Sequence, residues 1–266
     1  MVGLPSVAEG LQAAGITALT YDPRSTGRSD GEPRNDIDPF KQIDDMSDAL
    51  SFLANHPAVD RQQLGVWGMS LAGATGLCTA CFDTRVKFAI AICPAAEYSY
   101  DERKLRSVLN KATQDLESQI KGNAPLYVPM LNGSGENPAG FQIGMDKDYA
   151  MRILNARDDS VSTRTELAPN HVNRTTIQSY RKLLMWHPAP MWEKHLHIPV
   201  LYVVPELDQL VPVEAQKKFF QAIPSTFKKL HVEVQRGHLD VLEGENAPQL
   251  IELQVGFIRD ALSGRP

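Results

Sequence analysis

Apolar residues recur along this chain with two alternating periods. Ser6 to Ala14 has helical spacing, and Ile16-Thr17-Ala18-Leu19-Thr20-Tyr21 behind it reads as a strand. A turn-rich stretch follows from Asp22 to Gly31. Phe40, Ile43, Met46, Leu50 and Leu53 then fall near helical spacing, which predicts a helix from Pro39 to about Asn55, with Pro39 suited to its first turn. Leu64 to Trp67 predicts a strand, the residues after it a helix to about Phe82, and Val86 to Cys93 another strand. The same alternation resumes at Val200-Leu201-Tyr202-Val203-Val204. It continues through a helix at Val213–Ala222, a strand at Lys229–Gln235 and a last helix at about Pro248–Leu262. Short β-rich runs between longer helices predict an α/β fold with a mostly parallel sheet flanked by helices.

Between Pro94 and His197 the pattern changes. Helical stretches near 101–120 and 146–155 alternate with loops rich in Gly, Pro and Asn, and no clear strand appears before Pro199. About a hundred residues between two core strands is too long for a simple crossover. The expected organisation is therefore a core made of residues 1–93 and 198–266, with a helical lid inserted at 94–197.

One stretch carries the candidate chemistry. In Leu64-Gly65-Val66-Trp67-Gly68-Met69-Ser70-Leu71-Ala72-Gly73, a strand, a tight turn and a helix are joined at one serine, with small residues two positions to either side. That is the spacing of a nucleophile elbow, because bulk at those neighbours would collide across a sharp turn. The backbone N–H of Leu71, at the helix start, would then face a developing oxyanion. Alone, the stretch is equally the strand-to-helix turn of any doubly wound protein, with Ser70 as a helix cap.

The rest of the chain supplies partners. Asp208 follows strand 200–204, and His238 follows strand 229–235. The order Ser70, Asp208, His238 is nucleophile, acid, base, as in α/β-hydrolases. Each residue follows the carboxyl end of a predicted parallel strand, where open α/β sheets place their sites. His238 would take the serine proton and later pass it to the leaving group, while Asp208 would fix the imidazole tautomer. Glu206 competes for the acid role, and Asp240 is read as a structural hydrogen-bonding residue. His56, His171, His187, His195, His197 and His231 are read as ordinary core or loop histidines.

Composition narrows the partners. A net charge of −5 without a basic cluster argues against nucleic acid and anionic membrane. No apolar run reaches the roughly 18 residues of a membrane span, and Met1 to Pro5 lacks the regions of a signal peptide. Cys78, Cys81 and Cys93 lie in apolar settings, and Cys78-x-x-Cys81 has no second ligand pair, so all three are read as buried thiols in a reducing, cytoplasmic compartment. The sequons at Asn132 and Asn173 are then chance matches. No Gly-rich phosphate loop and no metal-spaced cluster is visible, so neither cofactor nor metal is expected. Arg24 and Arg28 near Asp22 suggest an anion-binding loop, or simply a loop tied down by Asp–Arg pairs with Gly27 and Gly31 as turns. Met69, Trp186 and the apolar run around it suggest an acyl pocket, or lid core.

Tyr21-Asp22-Pro23-Arg24, Arg34-Asn35-Asp36-Ile37-Asp38-Pro39, Trp67-Gly68-Met69-Ser70, Gly135-Glu136-Asn137-Pro138-Ala139-Gly140, Asn173-Arg174-Thr175-Thr176 and Gly237-His238 together resemble fungal secondary-metabolism α/β-hydrolases. That group is often called polyketide transferases and is related to dienelactone-hydrolase-like esterases. The resemblance covers nearly the whole chain. It implies hydrolysis or transfer of an acyl group, often on a polyketide ester, thioester or lactone, some of them carrier-bound. A non-covalent polyketide-folding enzyme and a catalytically inactive binding protein are the alternative readings. The resemblance also implies two or three strands ahead of Ile16 and a Gly-containing oxyanion loop. The sequence therefore reads as an N-terminally shortened form, expected to fold poorly or to form a homodimer. Otherwise strand 16–21 pairs directly with 64–67, or a second chain supplies a strand.

Overall fold

The computed structural model of the protein describes residues 4–132, 136–141 and 173–264. Contacts divide the chain into two compact units. The first comprises Met1–Tyr21, Phe40–Ala96 and His187–Pro266, and the second Asp22–Pro39 and Glu97–Trp186.

The first unit is built on a parallel sheet. Its strands are β1 (Leu64–Met69), β2 (Val86–Ile92), β5 (Val200–Pro205) and β6 (Lys228–Glu233), in the order β1-β2-β5-β6. The inner strands β2 and β5 are almost entirely buried, whereas β1 alternates buried and half-buried positions. Strands covered on both faces have no solvent side, which is why Val86–Ile92 and Val200–Pro205 read as continuous apolar runs. Successive residues of β1 show the two faces. Val66 packs toward Gly76 of α3 (Leu71–Phe82), while the Trp67 indole N–H donates to Gln254 Oε1 of α8 (Ala247–Ser263) at 2.6 Å. Helix α1 (Leu4–Ala13) lies against α8, and its Val7 and Leu11 join a core of Phe88, Ile90, Ile92, Leu201 and Val203. Helix α2 (Pro39–Ala54) places Met46 beside Gly76.

Helix α3 is buried almost all round and is made of small residues. A Cβ at Gly73 would come within 3.3 Å of Ile92 O and 3.0 Å of Gly68 O, so the glycine permits close approach of helix to strand. Helices α6 (Ala189–His195) and α7 (Val213–Ala222) complete this unit. Trp192 of α6 is buried and donates its indole N–H to Cys78 Sγ at 3.2 Å. Burial pushes the Cys78 thiol up to about 12.

Ile16–Tyr21 departs from expectation. Among the described residues it belongs to no ladder, and it does not pair with Leu64–Met69. Its residues are exposed or half-buried. A β-rich run becomes a strand only when a neighbour presents its backbone groups, and among the described residues none does.

The second unit contains α4 (Glu102–Ile120), α5 (Ile177–Leu184) and a short antiparallel pair, β3 (Tyr127–Val128) with β4 (Thr175–Thr176). These two-residue strands are too short to leave a periodic signal. Asp101 caps α4 by accepting from the amides of Arg103 and Lys104. Val108, Ala112, Ala139, Ile177 and Tyr180 form its core. Asp115 of α4 accepts from Gln178 Nε2 at 2.8 Å and from the Leu126 amide at 2.7 Å, pinning α4 to α5 and the following loop. The helix expected near 146–155 lies outside the described residues. Among the described residues no helix is long and apolar enough to cross a membrane.

Candidate active site

The turn after β1 holds Ser70 in a conformation few L residues adopt, with φ 56° and ψ −123°. The turn admits no bulk. A Cβ at Gly68 would sit 2.2 Å from the carbonyl oxygen of Ala72, which is backbone and cannot move aside. The elbow is then clipped to the end of β2. Ser70 N–H donates to Ile92 O at 2.9 Å, and Ala95 N–H donates to Ser70 O at 3.0 Å. Cys93 lies between those contacts at φ 39°, with its own amide donating to Val203 O at 2.8 Å. Leu71 opens α3, where helix geometry leaves N–H groups without an intrahelical acceptor.

Asp208 and His238 converge on this serine. His238 Nε2 lies 2.8 Å from Ser70 Oγ, and His238 Nδ1 lies 2.8 Å from Asp208 Oδ2. The imidazole and the carboxylate are both buried. Asp208 has all its acceptor positions occupied. Oδ1 accepts from the amides of Leu210 and Val211, each at 2.9 Å, and Oδ2 accepts from Gln216 Nε2 at 2.9 Å as well as from the imidazole. Gln216 is fully buried and also donates to Val211 O at 2.7 Å. A carboxylate oxygen held by these donors fixes the neighbouring ring by accepting from its Nδ1–H, and Nε2 then presents a lone pair to the hydroxyl.

The neighbouring acidic residues are engaged elsewhere. Glu206 is exposed and accepts from the Gln235 amide at 2.8 Å. Asp240 accepts from the Gly237 amide at 2.7 Å, which shapes the turn that presents His238. Met69 packs against the hydrophobic core and pairs with Ile92. Arg24 and Trp186 belong to the second unit, where Arg24 is exposed and Trp186 fully buried.

Internal bonds tie the loop that carries Arg24, and Gly27 and Gly31 turn it at positive φ. Asp22 Oδ2 accepts from the backbone amide of Arg28 at 2.9 Å, and Arg34 donates to Gly27 O at 2.8 Å and to Ser29 O. A Cβ at Gly27, where φ is 51°, would collide with the Asp22 carboxylate at 2.2 Å. Two quoted motifs also meet each other. Asn35 O accepts from the Thr175 hydroxyl at 2.7 Å and from the Thr176 amide at 3.2 Å, Asp36 accepts from the Thr176 hydroxyl at 2.7 Å, and Lys182 bridges Asp36 and Asp38.

Two residues that the sequence left in the background lie at the site. Gln216 is one. The other is Cys93, whose sulfur is fully buried 3.9 Å from His238 Nε2. Burial, and next the charge of Asp208, holds its thiol well above the usual range. Gln216 falls on a helix as one polar residue among several and Cys93 directly follows a strand, so nothing local marks either of them.

Comparison with known proteins adds the family. A family model described as serine aminopeptidase, S33, matches residues 3–244. A thiohydrolase from Eupenicillium brefeldianum is 41% identical over 254 residues, covering 95% of this chain and 80% of the relative. A polyketide transferase from Aspergillus fumigatus is 37% identical over 259 residues, covering 97% of this chain and 85% of the relative. The crystal structure of the α/β-hydrolase GrgF from Penicillium sp. sh18 superposes with a TM-score of 0.80 at 32% identity, covering 98% of this chain and 85% of that one.

Proposed function

This chain belongs to the serine aminopeptidase S33 family of α/β-hydrolases, and from that premise we propose that it cleaves an acyl group from an ester, thioester or lactone through a covalent intermediate on Ser70. The acyl donor is a polyketide, and the acceptor is water or a second nucleophile. The observation that carries this reading is the continuous chain Asp208–His238–Ser70, with both links at 2.8 Å.

The steps follow from the atoms. Ser70 Oγ is a weak nucleophile while it keeps its proton, and His238 Nε2 accepts that proton as the oxygen attacks the acyl carbonyl. The imidazolium that forms is stabilised by Asp208, whose carboxylate the amides of Leu210 and Val211 and the side chain of Gln216 hold in place. The negative charge on the carbonyl oxygen is met by the Leu71 N–H and the start of α3. His238 then gives its proton to the departing thiol or alcohol. The acceptor enters by the same route in reverse. A thioester donor suits this site because a thiolate leaves more readily than an alkoxide, and relatives named thiohydrolase and polyketide transferase support that choice.

Fluorophosphonate labelling with intact-mass readout tests the reading. Stoichiometric labelling that Ser70→Ala and His238→Ala each abolish is the expected result. A folded chain that does not label, or that labels equally well without Ser70, overturns it. In the second case a folding or cyclising role that leaves Ser70 idle becomes the better account.

A further inference from the structure

Cys93 has no part in the steps above, yet its sulfur faces the reacting nitrogen of the base. Cys93, Asp208 and His238 each offer one ligand atom, all within 4.8 Å of one another, and all three residues are buried. We propose that the centre also binds a soft, thiophilic divalent cation of the Zn²⁺ or Cd²⁺ class on Cys93 Sγ and His238 Nε2, and that this binding silences Ser70.

The geometry suits such an ion. With metal–sulfur and metal–nitrogen bonds near 2.3 and 2.05 Å, the observed 3.9 Å separation corresponds to an S–metal–N angle of about 127°, so sulfur and nitrogen need close by only about 0.1 Å to reach the 120° of trigonal coordination. Ser70 Oγ, 2.8 Å from Nε2, offers a third ligand at the same mouth. The ring is already in the tautomer that metals select. Asp208 holds Nδ1–H, which leaves the Nε2 lone pair outward, the carboxylate–histidine–metal arrangement. Sulfur with imidazole favours soft or borderline ions, whereas Mg²⁺ and Ca²⁺ require more oxygen ligands than this site provides.

Silencing follows from competition for one lone pair. A cation on Nε2 occupies the orbital that would take the Ser70 proton. On binding, Cys93 passes from thiol to thiolate, one proton leaves to solvent, and no electron is transferred. The binding claim stands on geometry alone, and the silencing claim rests on the function proposed above.

The test is titration of the protein with CdCl₂ in buffer free of thiols and chelators, followed by the ultraviolet thiolate-to-cadmium absorption, with fluorophosphonate labelling in parallel. Wild type and a Cys78→Ser/Cys81→Ser variant are expected to bind one Cd²⁺ with the absorption band. Cys93→Ser should bind at least about tenfold more weakly. Cd²⁺ should block labelling of wild type, EDTA should restore it, Cys93→Ser should label with or without Cd²⁺, and MgCl₂ should have no effect. Cys93→Ala serves if the serine variant misfolds. A band that survives in both Cys93 variants, or vanishes only with Cys78 and Cys81, overturns the site. A band with undiminished labelling overturns the silencing. Absence of labelling in metal-free wild type defeats the function reading, while the absorption titration still judges the site.

Discussion

Asp208 in the first unit and Asp36 in the second are both carboxylates largely removed from water and supplied with donors. Asp208 receives two amides, a glutamine and an imidazole. Asp36 receives a threonine hydroxyl and a lysine, and its neighbours Asn35 and Ile37 bond to Thr175, Thr176 and Ser179 through their backbone. The Asp36 network closes on itself and on backbone groups, so it holds two stretches of chain together. The Asp208 network ends on a hydroxyl whose backbone is strained and whose side chain is only partly covered. A buried, well-bonded carboxylate therefore does not by itself identify a candidate site. What distinguishes the two is the last member of the chain: an imidazole followed by a serine hydroxyl in one, a lysine and threonines in the other.

Substitutions on each side should separate activity from stability. Asp208→Asn leaves the amide donors in place but removes the charge that selects the Nδ1–H tautomer. It is expected to lower acyl cleavage by roughly 10³–10⁴-fold with little change in the unfolding midpoint, as in trypsin-like enzymes where the equivalent change acts on the tautomer. Steady-state hydrolysis of a short-chain thioester, alongside thermal unfolding, checks it. Comparable losses in both readouts would mean that Asp208 is mainly structural.

Asp36→Ala is expected to do the reverse. It removes one of the two carboxylates that hold Lys182, leaving Asp38, and unties the Thr176 hydroxyl, so folding stability should fall by about 1–2 kcal/mol. Ser70 labelling per folded molecule should be unchanged. Urea unfolding with labelling of the remaining folded fraction reads both. An unchanged midpoint would show that the lock is dispensable.

The smallest effect tests a purely structural pair. Arg85 holds the Asp83 carboxyl down to about 2, through its hydrogen bonds and with help from Ser47. An acid whose folded value is lowered stabilises the fold above its unfolded value near 3.8 and loses that contribution as pH falls toward 2. Asp83→Asn should therefore cost about 1 kcal/mol at neutral pH after solvent screening. The gap to wild type should close between roughly pH 4 and pH 2. Paired unfolding curves across that range check it, and a gap independent of pH would assign the loss to packing.

Much of the first unit could be read from local pattern. β2 and β5 announce themselves as unbroken apolar runs because both faces are covered, and the Gly68–Ser70–Ala72 spacing is legible because the turn has no room for bulk. The second unit was harder to read, since β3 and β4 have two residues each and its organising bonds join Asn35 and Asp36 to residues 140 positions away. Ile16–Tyr21 shows the opposite failure. It has a strand's composition, yet no neighbour completes a ladder with it among the described residues.

By itself, then, the sequence determined the alternation of strands and helices, the tight turn at Ser70, and the order in which Ser70, Asp208 and His238 follow their strands. These depend on period, residue size and chain direction, which are local properties. Only the tertiary structure decided that Asp208 rather than Glu206 meets the imidazole, that Gln216 fixes that carboxylate, and that Cys93 lies against His238 Nε2. Each of these is a contact between side chains on different elements, such as the 2.8 Å link between residues 168 positions apart. The register of neighbouring strands and the packing of α7 set such contacts, and no spacing along the chain encodes them.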